Sequence, residues 1–122
     1  MSDYRKLVVW QHAHALVLAV YKVTLVFPKD ERYGLSSQVR RAAVSVAANI
    51  AEGTGRGSGP ELARFCRIAR GSINELEYHL LVCSDLAYLP LETHRELRQK
   101  ISTVRRMLTR FIQSVTGETG NW

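Results

Sequence analysis

Residues 8–27 read VVWQHAHALVLAVYKVTLVF, and residues 39–51 read VRRAAVSVAANIA. In both segments the apolar residues extend around more than one face of a helix. A helix on the outside of an isolated bundle needs one apolar stripe, which faces the core. A chain of 122 residues is too small to bury two faces of each helix from within. We therefore predict that another copy of the chain covers the second face, with these residues and part of the first helix in the contact: Val44, Ala47, Ala48 and Ala51.

The composition is typical of one globular domain. Hydrophobic residues make up 46% of the chain and charged residues 23%, which argues against disorder. No run approaches the roughly 18 to 20 apolar residues that cross a bilayer, and the N-terminal segment lacks the small-residue cleavage site of a signal peptide. We therefore expect a cytoplasmic protein that does not associate with membranes.

Proline and glycine residues divide the chain into four helical segments. Pro28 ends the first segment, because the residue before a proline is displaced from the helical region. The glycine-rich run GTGRGSGP at residues 53–60 separates the second segment from the third. We predict helices over residues 8–27, 36–53, 59–87 and 91–115, in a bundle domain over 1–116 followed by a flexible tail over 117–122.

Capping residues mark where these helices begin. Ser36 or Ser37 is expected to cap the second helix. Capping boxes, in which a serine or threonine is followed three residues later by glutamate, predict the starts of the third and fourth helices. The two boxes are Ser58 with Glu61 and Thr93 with Glu96.

Apolar residues on the third and fourth segments recur at steps of three and four, as on one face of a helix. The third-helix stripe is Leu62, Phe65, Ala69, Ile73, Leu76, Leu80, Cys83 and Ala87, and the fourth-helix stripe is Leu97, Ile101, Val104, Leu108, Phe111 and Val115. Such stripes pack at shallow angles, and no segment shows the alternation of a strand. The predicted fold class is all-α, an antiparallel up-and-down four-helix bundle.

Three segments carry a resemblance to a known family. VWQHAHALVLAVYKVT (9–24), FPKDERYGLSSQVRRAAVSVAANIAEGTGR (27–56) and RFCRIARGSINELEYHL (64–80) together resemble the bacterial 23S ribosomal RNA intervening-sequence proteins, and residues 33–56 are the most specific part. The similarity extends from Tyr4 to Val115. It implies a four-helix bundle in a cyclic homo-oligomer, a pentamer, with no established enzymatic activity. Relatives that accompany diversity-generating retroelements are associated with nucleic acid and a reverse transcriptase.

The second helix carries a narrow polar stripe between its apolar faces. Two interpretations are open: a polar lining repeated around a ring, or a solvated face whose hydrogen bonds fix the subunit register. The small residues that flank the stripe permit close helix approach, so we expect them in subunit contacts. The stripe is Gln38, Arg41, Ser45, Asn49 and Glu52, and the flanking residues are Ala42, Ala43, Ala47, Ala48 and Ala51.

The chain is basic, with a formal net charge of +6 from 17 basic and 11 acidic residues. Arginines are concentrated on the fourth helix and continue onto the third. Guanidinium groups repeated around a ring would bind phosphates with little sequence preference. We therefore predict RNA or DNA binding through the arginines below, and as the alternative a docking scaffold in which the same face recruits an acidic protein. The candidate residues are Arg98, Arg105, Arg106, Arg110, Arg64 and Arg67.

The sequence contains no arrangement typical of an active site or a metal site. His12 and His14 are two residues apart and point about 200° apart on a helix, so they do not ligate one metal from one face. No serine or cysteine has a recognisable base at a suitable spacing. Cys66 and Cys83 would lie about 25 Å apart on one helix, too far for a disulfide, and we expect two buried thiols. We predict no enzyme activity, no metal and no cofactor.

Overall fold

The computed structural model describes residues 3–117, which form four helices and contain no strand. Helix α1 spans Val8–Thr24, α2 spans Leu35–Thr54, α3 spans Gly59–Asp85 and α4 spans Leu91–Thr116. Short 3-10 turns at Tyr4–Lys6 and Lys29–Glu31 precede α1 and α2. The all-α prediction is confirmed. Residues 118–122 of the predicted tail lie outside the described residues.

The first and third helices end earlier than predicted. At Thr24 the side-chain hydroxyl donates to the carbonyl of Val20 over 2.9 Å, and the Phe27 amide donates to the Thr24 carbonyl over 3.2 Å. Helix α1 therefore ends at Thr24, three residues before the predicted end at Phe27, and the turn leads the chain into Pro28. Helix α3 ends before Ala87, whose φ of 63° lies in the left-handed region and does not continue the helix.

The predicted capping residues are only partly correct. Ser58 is the N-cap of α3, and its hydroxyl accepts the Glu61 amide over 3.3 Å. The prediction for the second helix is wrong. Helix α2 begins at Leu35, whose amide donates to the side chain of Glu31 over 3.2 Å, so the preceding turn supplies the acceptor that we expected from Ser36 or Ser37.

The second capping box is also wrong. Helix α4 begins at Leu91, directly after Pro90, so Thr93 is already the third helical residue and does not cap the helix. At the other end, Gly117 adopts a φ of 73°, and its amide donates to the Gln113 carbonyl over 2.8 Å. A left-handed glycine of this kind is a common helix terminator.

The four helices pack around one core. Helix α1 packs beside α2 and α4, α2 beside α3, and α3 beside α4, while the backbones of the diagonal pairs do not approach each other closely. The core is lined by side chains that are almost completely buried, among them Leu16, Ile50, Leu76 and Leu108. No helix within residues 3–117 is long and apolar enough to cross a membrane.

The predicted stripes on α3 and α4 form much of this core. On α3, Phe65, Ala69, Ile73, Leu76, Leu80 and Cys83 are buried. On α4 the stripe is correct through Leu108, and then Ile112 enters the core in place of Phe111 and Val115, which are half-buried. A straight helix drifts relative to a repeat of three and four, because one turn contains 3.6 residues.

Candidate nucleic-acid interface

The predicted arginines of α4 occupy two parts of its surface. At 100° per residue, Arg98 and Arg105 lie within about 20° of each other, on the side of α4 that faces α3. Arg106 and Arg110 lie about 80° to 140° further around the helix, on the side away from the core. The four side chains therefore do not form one row, and they belong to two adjacent surfaces.

Arg105 joins α4 to α3. Its Nε donates to the Asn74 side-chain oxygen over 3.1 Å, and its Nη2 donates to Glu77 over 2.8 Å. The side chains of Arg105 and Glu77 are 31% and 44% exposed, so the ion pair is partly shielded from water. A guanidinium in this position holds two helices together and is a weaker candidate for binding phosphate.

Three of the predicted arginines have no carboxylate partner within residues 3–117. Arg98, Arg106 and Arg110 are all exposed. Arg106 makes only long contacts with two hydroxyls of its own helix, at 3.4 Å to Ser102 and 3.5 Å to Thr103. An anion that approached these guanidinium groups would not have to displace a bound carboxylate.

The two predicted arginines of α3 are less available. Arg64 donates to both carboxylate oxygens of Glu61, over 2.8 Å and 3.3 Å. This hydrogen-bonded pair raises the pKa of Arg64 and lowers the pKa of Glu61. The Arg64 guanidinium also lies 4.6 Å from the centre of the Phe65 ring. Arg67 is half-buried. The nucleic-acid-binding role of all six arginines stays a prediction.

A groove between α3 and α4 lies beside Arg98. It consists of two adjoining recesses of about 470 and 480 Å³ that share Glu77 and Arg98 as lining residues. Tyr78, which is 63% exposed, lines the first recess. Tyr78 is not among the residues predicted from the sequence, although its position off the apolar stripe of α3 indicates an exposed ring.

The polar stripe of α2 faces α3. The Ser45 and Ser72 hydroxyls are 2.9 Å apart, and Asn49 donates to the Ser45 carbonyl over 2.8 Å. These hydrogen bonds lie within one chain. A shallow recess of about 500 Å³ follows the exposed end of the stripe, where Gln38 and Arg41 lie near Glu75 and His79.

A second groove, which we call the α1–α2 groove, is almost entirely apolar. It has a volume of about 330 Å³ and is lined by Tyr4, Trp10, His14, Val17, Val44, Ala47, Ala48 and Ala51. Val44 is 39% exposed, and Ala48 is exposed as well. All four residues that we predicted for a subunit contact line this groove together with part of α1, although Ala47 is only 7% exposed. The contact itself stays a prediction.

Two of the flanking alanines on α2 are not on that surface. Ala42 and Ala43 are 3% and 0% exposed and belong to the core of their own chain. The prediction that they lie in a subunit contact is wrong, because the close approach that alanine permits is used here between helices of one bundle.

The cysteines are buried, as predicted. Both are free thiols on α3. Burial raises the pKa of Cys66 and of Cys83 to about 11, which keeps each thiol protonated and unreactive near neutral pH. No group of three histidine, cysteine, aspartate or glutamate side chains in the described part of the chain is arranged to hold a metal ion.

Comparison with family models identifies one family, and comparison with solved structures identifies a similar fold. Residues 5–110 match the family described as 23S rRNA-intervening sequence protein. The fold is similar to the crystal structure of a protein with unknown function from the S23 ribosomal protein family of Bacteroides thetaiotaomicron, with a TM-score of 0.78 and 22% sequence identity. The similarity covers 87% of this chain and 99% of that chain. No curated protein matches this chain.

Proposed function

The chain belongs to the 23S rRNA-intervening sequence protein family, and we propose that it is a non-enzymatic, oligomeric four-helix-bundle protein that binds RNA or DNA. The observation that carries the proposal is the exposure of Arg98, Arg106 and Arg110 without carboxylate partners in residues 3–117. In a chain of net charge +6, these side chains place unpaired positive charge on one helix. A cytoplasmic location is part of the same proposal.

Guanidinium groups suit phosphate because their N–H donors form a planar fork that matches two phosphate oxygens. Each contact releases counterions from the nucleic acid, so that binding weakens as salt is added. The contacts carry no direct information about base sequence. Three contacts from one chain give weak binding at physiological salt, and we therefore expect an affinity that depends on several chains acting together.

The α1–α2 groove supports the oligomer in this proposal. An apolar surface of this kind on a small protein is typical of an interaction site, and Val44, Ala48 and Trp10 would be covered by a second copy. A cyclic arrangement repeats the arginine surface, and contacts after the first become effectively intramolecular. Five copies is the number that the resemblance to the family implies.

The proposed bundle is antiparallel. Gly53 at the end of α2 lies beside Phe65 near the start of α3, and Ser45 in the middle of α2 lies beside Ser72 in the middle of α3. In the next pair, Gly59 at the start of α3 lies beside Val115 at the end of α4. These contacts support up-and-down connections between neighbouring helices.

A docking scaffold for an acidic protein is the second candidate function. The same unpaired arginines favour it, because carboxylates accept hydrogen bonds from guanidinium groups as phosphates do. The two candidates differ in their ligands. A nucleic-acid-binding protein retains structured RNA, single strands or duplex DNA at low salt, whereas a scaffold of this kind prefers an acidic polypeptide.

The test is a gel-shift and anisotropy comparison at low salt of structured RNA, single-stranded DNA, duplex DNA and polyglutamate. We expect a shift with the nucleic acids and weaker binding of polyglutamate. The variant Ala48→Glu places a charge in the α1–α2 groove and is expected to lose most of this affinity with every arginine intact. If wild-type protein shifts none of the nucleic acids, the proposal is wrong, and selective retention of polyglutamate would support the scaffold instead.

A further inference from the structure

The groove between α3 and α4 presents an aromatic ring beside an unpaired guanidinium. We infer that this groove binds single-stranded nucleic acid, with an unpaired base stacked on Tyr78 and a neighbouring phosphate on Arg98. The inference rests on the proposed function, and it adds the class of nucleic acid and the residue that distinguishes that class.

The exposure of Tyr78 is the first observation. Its side chain is 63% exposed on the middle of a long, well-packed helix. A tyrosine in such a place leaves a large apolar ring in water, where its burial by a ligand would be favourable. Leu81, one turn further along the same helix, is 45% exposed and lines the same recess. Together they form the apolar part of an otherwise polar groove.

The charge of the groove is the second observation. Glu77 is the acidic residue that both recesses share, and its carboxylate is already bound by Arg105 at 2.8 Å. Arg98 has no such partner in the described chain. The groove therefore carries a net positive charge at Arg98 despite the presence of a carboxylate, and a phosphate beside Arg98 would not meet an unbalanced negative charge.

A hydrogen-bonding group, the Asn74 side chain, lines the same recess as the ring and Arg98. The Asn74 side-chain oxygen accepts from Arg105 Nε over 3.1 Å, which fixes the orientation of the amide. Its NH₂ group is left to donate to the edge of a base. Along α4 the groove extends from His94 to Arg105, about 16 Å at 1.5 Å per residue, which accommodates a short stretch of single strand.

The geometry favours a single strand over a duplex. In a duplex each base is already stacked between its neighbours, so its face is not available to a tyrosine ring. Proteins that bind single strands combine a positively charged groove with aromatic side chains on which unpaired bases stack. A duplex would contact the outer surface of α4, where Arg106 and Arg110 are exposed, and it would not depend on Tyr78.

The experiment measures fluorescence anisotropy of the full-length protein with a labelled single-stranded oligonucleotide of about 12 nucleotides and with its duplex. Tyr78→Ala is expected to weaken single-strand binding roughly five- to 150-fold, the range for loss of one stacked base. Tyr78→Phe keeps the ring and should stay within about twofold of the wild type. Duplex binding should not change. Tyr33→Ala is the matched control, because Tyr33 is 87% exposed and lies in the connection between α1 and α2.

The outcomes separate this inference from the proposed function. If the wild type binds nucleic acid and Tyr78→Ala binds single strands equally well, the inference is wrong and the proposed function stands. If Tyr78→Phe loses as much as Tyr78→Ala, stacking is not the cause and the inference also fails. A change in assembly mass of Tyr78→Ala by light scattering would assign the ring to a subunit contact and overturn it. Absence of any nucleic-acid binding by the wild type would contradict both.

Discussion

Gly53 lies where α2 approaches α3 closely, and its replacement by alanine tests how these helices pack. A Cβ atom at this position would lie 2.9 Å from the Phe65 Cβ, 3.1 Å from Leu62 Cδ1 and 3.3 Å from the Leu62 carbonyl oxygen. The first contact is shorter than real Cβ atoms tolerate, and the Phe65 Cβ is fixed to its backbone. Helix α3 must therefore shift to make room.

The matched control is Gly71→Ala on α3. Gly71 is exposed and helical, and a Cβ there would have no neighbour within 4 Å. Alanine in a helix interior is worth about 1 kcal/mol over glycine, so Gly71→Ala should stabilise the protein by about 0.5 to 1 kcal/mol. Gly53→Ala gains some of the same propensity but adds an overpacking cost of about 1 to 3 kcal/mol. The difference between the two variants isolates the cost of packing.

Urea unfolding followed by circular dichroism, at one fixed protomer concentration, gives both free energies of unfolding. We expect Gly53→Ala to be less stable than the wild type and Gly71→Ala to be more stable, with the two separated by about 2 kcal/mol. Equal stability of the two variants would refute the close contact between Gly53 and Phe65, and with it the described packing of α2 on α3.

Three further predictions concern the helix interface, the thiols and the assembly. Arg105→Ala should lower the free energy of unfolding by about 1 kcal/mol, because it removes a partly shielded ion pair and a hydrogen bond. Arg106→Ala should change the free energy of unfolding by less than about 0.5 kcal/mol. Urea unfolding measures both variants, and equal effects would contradict the prediction. Cys66 and Cys83 should react with iodoacetamide only after unfolding. Burial raises the pKa of both thiols from 9.0 to about 11, so the stability that the neutral buried thiols contribute is present below pH 9 and is lost as the pH rises toward 11. Rapid labelling of the folded protein at pH 8 would contradict the prediction, because it would show that the thiols are accessible. Ala48→Glu in the α1–α2 groove should dissociate the oligomer. Ala15→Glu, on an exposed part of α1 outside that groove, should leave the oligomer intact. Light scattering measures the mass of both variants, and a monomeric wild type would contradict the proposed assembly.

The fold follows from periodic signals that the sequence states directly. The stripe from Phe65 to Cys83 predicts the buried face of α3, and GTGRGSGP separates two helices. Contacts with a residue that is distant in sequence, or that lies in a preceding turn, cannot be predicted from such a local pattern. Glu31 caps α2 from outside the helix, and a search for serine or threonine at the N-cap does not reveal it.

The candidate site could be predicted only in part. The number of arginines on α4 predicts a basic surface, but whether each guanidinium pairs with a carboxylate depends on the side chains of α3 that face it. Arg105 and Arg106 are adjacent in sequence, and yet Arg105 binds Glu77 while Arg106 remains without a carboxylate partner in the described residues. That difference requires the packing of two helices and is invisible to a helical wheel drawn for one of them.

The most direct test of the proposed function is the salt dependence of nucleic-acid binding by two variants of equal net charge. One variant is Arg98→Ala/Arg106→Ala/Arg110→Ala, which removes the unpaired arginines of α4. The other is Arg5→Ala/Arg32→Ala/Arg56→Ala, which removes arginines elsewhere that contact Asp3, the Tyr33 ring and Glu52.

Each lost phosphate contact reduces the slope of log affinity against log salt by about 0.9 for duplex DNA. Arg106 and Arg110 lie on the surface of α4 that a duplex contacts, so we predict that the first variant loses about 2 units of slope for each subunit that contacts the duplex. The second variant should keep the wild-type slope. Equal slopes for the two variants would contradict the account, because binding would then follow net charge rather than the unpaired arginines of α4.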